Sequence, residues 1–71
     1  MKILYDMPDG SRVASEVVSI VSTQDPDSDR WAVLAWVDGA DLPDVIVDGV
    51  TEKVAKSIVR KLFDTGVYVG V

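Results

Sequence analysis

The residues able to carry chemistry in this chain are acids and bases on short spacings, with no histidine and no cysteine among its 71 residues. Ten of the twelve acids are aspartate. Asp25-Pro26-Asp27-Ser28-Asp29 has the alternating-acid spacing that opens a calcium loop. The pattern breaks at Arg30, where the sharp turn needs glycine, and at Trp36, where a bidentate glutamate is needed. Asp38, Asp41, Asp44 and Asp48 put four carboxylates within eleven residues, a ligand set suited to magnesium or manganese. Aspartate also gathers beside Asp-Gly turns because it bonds its own backbone there. Solvated turns are therefore the expected role of both groups, with no metal and no cofactor.

Nucleophilic catalysis lacks its second partner. Serine and threonine need a neighbouring base, and the usual one, histidine, is absent. There is no glycine-rich phosphate loop and no nucleophile elbow. A paired-carboxylate hydrolase needs a cleft between its two acids, and a chain this short offers little depth for one. The expectation is a protein that is not an enzyme.

Charge is unevenly spread. The formal net charge is −5, which opposes general affinity for phosphate backbones. Thr23 to Glu52 holds eight acids and one base, Arg30, whereas Lys53 to Lys61 holds four bases and no acid. Lys53, Lys56 and Arg60 share one edge of a helix and are candidates to hold a nucleotide or another small anion. For sequence-specific nucleic acid the stripe is thin, without interleaved aromatics.

The apolar candidates lie on Arg30 to Asp38. Strand alternation puts Trp31, Val33, Ala35 and Val37 on one face, wholly apolar and expected in the core. The other face reads Arg30, Ala32, Leu34, Trp36, Asp38: apolar in the middle and charged at the ends. An aromatic anchor inside a polar rim is the anatomy of a contact patch. Arg30, Leu34, Trp36 and Asp38 are therefore the candidate partner-binding residues. The competing reading has the tail Val67 to Val71, or the first hairpin, cover Trp36.

The elements that position these residues can be read in turn. Lys2 to Met7 reads as a strand, and Pro8-Asp9-Gly10 as the turn after it. Arg12 to Thr23 fits helical spacing through Val13, Val17 and Val21. Its β-branched run Val17 to Thr23 and the preceding turn favour a strand, bulged near Glu16. Gln24 to Asp29 is a loop, Arg30 to Asp38 a strand, Asp38-Gly39 a turn and Asp44 to Val47 a short strand. Thr51 to Thr65 is an amphipathic helix, capped by Thr51 and stopped by Gly66. Val54, Ala55, Ile58, Val59, Leu62 and Phe63 share its apolar side. Val67 to Val71 reads as a last strand or an extended tail.

The whole predicts one small α+β domain over residues 1–71. Its mostly antiparallel sheet has about four strands, with the helix over residues 51–65 packed on one face. A chain of this length buries only roughly 60% of its unfolded surface, so self-association would help its stability. No apolar run approaches the roughly 20 residues of a membrane helix. No signal peptide is visible, and a soluble cytoplasmic protein is expected.

The function expected from these features is a non-catalytic interaction or regulatory module, homodimeric or partner-bound. Small acidic domains of this layout are common among phage-encoded accessory proteins and inhibitors that cover a site on a host or defence protein. That association rests on size and composition alone. The alternative is a nucleotide- or anion-binding protein that uses the basic helix edge.

Overall fold

The turn signals and β-branched runs produce a five-stranded sheet crossed by one helix. A computed structural model describes residues 1–70. The strands are β1 (Lys2–Asp6), β2 (Arg12–Gln24), β3 (Trp31–Val37), β4 (Asp44–Val50) and β5 (Val67–Tyr68), and the helix is α1 (Glu52–Thr65). Their order across the sheet is β4-β3-β2-β1-β5.

The sheet refines the sequence reading at two strands. The sheet has five strands, because β5 joins β1 in parallel, with Leu4 opposite Val67 and Tyr5 opposite Tyr68. Val71, the end of the expected last strand, lies outside the described residues. Secondly, β4 runs on to Val50 instead of stopping at Val47. Its pairing with β3 shifts register twice, and Gly49 adopts a left-handed φ of 71°. Such irregularities carry a strand past residues that would otherwise end it.

The β1–β2 connection follows from its residues. Gly10 sits at φ 92°, a value that side chains with a Cβ rarely adopt. Its N–H donates to the Met7 carbonyl, and the Met7 N–H donates to the Ser11 carbonyl. Asp9 Oδ1 accepts from the Ser11 N–H and hydroxyl at 2.9 and 2.6 Å.

The strand β2 is long and bulged. Val17 lies opposite Val37 and Ser19 opposite Trp36, so Val18 is the extra residue. The bulge resets the alternation. Before it, Val17 points into the core; after it, Ile20 does.

The helix begins where Thr51 Oγ1 accepts from the Val54 N–H at 3.3 Å and ends where the Gly66 N–H donates to the Leu62 carbonyl at 2.9 Å. Ala55, Ile58 and Leu62 are buried and Val59 is half-buried. This stripe is narrower than the sequence suggested. Val54 is 44% exposed and Phe63 57%, because each lies about 90° around the axis from the middle of the stripe. A helix lying on a sheet touches it along its centre line, and residues at that angle clear the contact.

The core lies between α1 and one sheet face. It gathers Ile3 and Tyr5 from β1, Val17 and Ile20 from β2, Val33 and Ala35 from β3, and Ile46 from β4 around the helix stripe. Each large apolar side chain buried here contributes roughly 1.5–3 kcal/mol. Trp31 and Val37 pack against this cluster, half-buried.

Candidate interaction surface

With the helix on one face, the other face of the sheet is left for solvent or a partner. Pairing register fixes its membership. Val21 stands opposite Leu34, and Leu34 opposite Val45, in a row across β2, β3 and β4. One step along β3, Trp36 stands opposite Ser19; one step the other way, Ala32 stands opposite Thr23. Val21, Trp36 and Val45 are 37%, 36% and 37% exposed. Leu34 between them is half-buried by its neighbours.

Two of the four candidate residues, Leu34 and Trp36, lie on β3 within this face. Leu34 and Trp36 form the middle, while Arg30 and Asp38 stand exposed just beyond the two ends of β3. Residues 67–70 of the tail do not cover Trp36. Its strand β5 lies at the β1 edge, with β1 and β2 between it and β3. The Gly70 N–H donates to Asp6 Oδ2 at 2.6 Å, which holds the tail there.

Asp6 and Glu16, toward the β1 end of the sheet, are paired within the chain. Arg12 Nε donates to Asp6 Oδ1 at 2.8 Å, and the amino terminus meets Glu16 Oε2 at 2.7 Å. The Arg12 guanidinium first, and then the Gly70 N–H, hold the Asp6 carboxyl below its ordinary range. The amino terminus does the same for Glu16. Among the described residues, neither Arg30 nor Asp38 enters an ion pair.

Two members of this surface were missed in the sequence. Val21 looked like a continuation of the Val13–Val17 face, and the bulge at Val18 turns it to the opposite side. A break in alternation at Val17-Val18 was the available signal. Val45 lay on a strand too short and irregular to assign a face.

The basic residues of the helix also come together. Lys53, Lys56, Ser57 and Arg60 line a shallow depression of about 390 Å³. Lys56 is already engaged there. Its Nζ lies 3.0 Å from Glu52 Oε2 and 5.7 Å from the centre of the Trp31 ring. An anion would meet Lys53 and Arg60 more freely than Lys56.

The acidic loops close on themselves. Asp25 Oδ1 accepts from the Asp27 N–H, Ser28 Oγ accepts from the Arg30 N–H, and the Asp25 N–H donates to the Arg30 carbonyl. Asp44 turns inward to the Tyr5 hydroxyl, leaving the group it formed in the sequence. Among the described residues, no three acids converge to hold a metal ion. No helix among them is long and apolar enough to cross a membrane.

No protein-family model, no curated protein and no solved structure matches this chain.

Proposed function

We propose that this protein is a non-catalytic interaction module whose contact surface is the sheet face opposite α1. One observation carries the reading: Trp36 stands 36% exposed beside the apolar row Val21–Leu34–Val45, on the face that the helix leaves uncovered. A large aromatic on a flat apolar patch, rimmed by opposite charges, is the composition of a binding hot spot. Contiguous exposed apolar surface of this kind marks contact sites. The module acts by covering a site on another protein surface, its own or a partner's.

The test compares two tryptophans. Trp36→Asp is expected to keep the circular-dichroism spectrum and abolish association in size-exclusion chromatography. Trp31→Asp, beneath the helix, is expected to unfold the chain. Unchanged association in Trp36→Asp would refute the surface.

A second reading is supported by the depression at the basic helix edge: capture of a nucleotide or other small anion by Lys53, Lys56 and Arg60. Titration with ATP or inorganic phosphate, followed by amide chemical shifts, tests it. Saturable shifts confined to residues 53–60, lost in a Lys53→Glu, Arg60→Glu double variant, would favour it. Shifts absent up to millimolar ligand would dismiss it.

A further inference from the structure

We infer that the occupant of the open sheet face is a second copy of this chain, seated with β3 antiparallel over β3 about a two-fold axis at Leu34. The inference rests on the interaction reading above and specifies its partner and register.

The observation is a self-complementary pattern. Along β3 the open face presents Ala32, Leu34 and Trp36 in alternation, and Arg30 and Asp38 stand exposed one residue beyond the strand's two ends, at positions that continue the alternation in sequence. A two-fold axis through Leu34, in the interface plane and across the strands, exchanges positions equally spaced about it. Leu34 then meets Leu34 of the second copy. The bulky Trp36 meets the small Ala32, so large fits over small at both ends. Arg30 meets Asp38, so each end pairs opposite charges.

The neighbouring strands obey the same symmetry. The axis runs along the register row Val21–Leu34–Val45, so Val21 faces Val21 and Val45 faces Val45. Ser19, beside Trp36, faces Thr23, beside Ala32. No like charges are brought together along β3. An isologous interface requires this kind of self-complementarity. Sheets packed face to face in an aligned manner accept it, with side chains interdigitating across about 10 Å.

Charge supports the same occupant, and area sets how tightly it is held. Arg30 and Asp38, just beyond the two ends of β3, enter no ion pair among the described residues, and each carries the charge the other lacks. The three strands the axis crosses, about 4.8 Å apart and each overlapping its mate over about 23 Å, offer a flat footprint of roughly 330 Å² per copy. Even with side-chain relief the pair stays below the roughly 1,200 Å² of stable specific interfaces, so the dimer is weak. Association should therefore depend on concentration.

The test is a charge exchange read by sedimentation velocity from about 1 to 500 μM. Wild type should dimerise. Arg30→Asp alone places acid against acid at both ends of the dimer, and Asp38→Arg alone places base against base. Each should weaken self-association about tenfold. An equimolar mixture of the two variants restores both opposite-charge pairs and should form a heterodimer about as tight as wild type. Circular dichroism checks that both variants fold.

If wild type dimerises but the mixture does not recover, the register is wrong and the inference falls. If wild type remains monomeric throughout, the second copy is rejected. Acrylamide quenching of Trp31→Phe, in which Trp36 is the remaining tryptophan, then separates the two failures. A quenchable Trp36 leaves the face open for a different protein. A shielded Trp36 in a monomer removes the interaction surface as well.

Discussion

The Tyr5 hydroxyl donates to Asp44 Oδ2 at 2.5 Å, tying β1 to β4 across the two strands between them. The residues are 39 positions apart. The Tyr5 side chain is fully buried, and the Ser15 hydroxyl lies 3.4 Å from its oxygen. Burial first, and then the bond to Asp44, push the phenol above its ordinary pKa of 10.0. A hydrogen bond to a charged acceptor contributes about 1.5–3 kcal/mol. Tyr5→Phe is therefore expected to lower unfolding free energy by about that amount in urea titration at pH 7, while Ser15→Ala changes it less.

The same phenol sets an alkaline limit. Its folded pKa is raised, so the folded state holds the proton more tightly than the unfolded state. The stabilisation is complete below pH 10 and is lost as pH rises through the folded pKa. Thermal melts should show a falling melting temperature above pH 10. In Tyr5→Phe that part of the fall should be missing.

On the acid side the sign reverses. Asp6, Asp9 and Glu16 have pKa values lowered by Arg12, Ser11 and the amino terminus respectively. Their contributions are present above the ordinary carboxylate values and lost as pH falls through the folded ones. Melting temperature should decline below about pH 4.5. Asp6→Asn, which also weakens the grip on the Gly70 N–H, should reduce that pH dependence. Carboxyl chemical shifts titrating at or above ordinary values for all three would contradict it.

The helix separates buried from flanking residues. Ile58→Ala and Leu62→Ala are expected to cost on the order of 2–5 kcal/mol each, enough to unfold much of a domain this small. Phe63→Ala, at a 57% exposed position, should cost far less than Leu62→Ala despite the larger side chain. Lys56→Ala loses an exposed ion pair and a contact with Trp31, worth together about 1 kcal/mol or less. Denaturant midpoints of the four variants decide the order. A lysine variant weaker than the leucine variant would reverse the assignment of faces.

Gly66 tests the helix stop. Its φ of 72° is left-handed, and an added Cβ would sit 3.4 Å from the Lys2 carbonyl oxygen, an ordinary contact. Strain at the backbone, not crowding, should dominate. Gly66→Ala is expected to cost about 1–2 kcal/mol in thermal or urea melts.

What the sequence determined by itself was local. Pro8-Asp9-Gly10 sets a turn because proline presets one dihedral and glycine accepts a left-handed one. Thr51 and Gly66 bound the helix because their chemistry satisfies amide and carbonyl groups within one turn. Alternation along Trp31–Val37 separated Val33 and Ala35, which are buried, from Trp36, which is not. These signals depend on neighbours within a few residues, so they are written along the chain.

Tertiary structure decided what depends on partners far away in sequence. Only pairing with β3 shows that Val18 is a bulge and that Val21 therefore leaves the core face. The parallel pairing of β5 required β1 to be in place, and it holds β5 away from Trp36. Asp44 read as one of four loop acids until the sheet brought it to Tyr5. Register, long-range hydrogen bonds and the choice of which face the helix covers are set by competition among non-local contacts, and a single chain read in order carries no direct record of that competition.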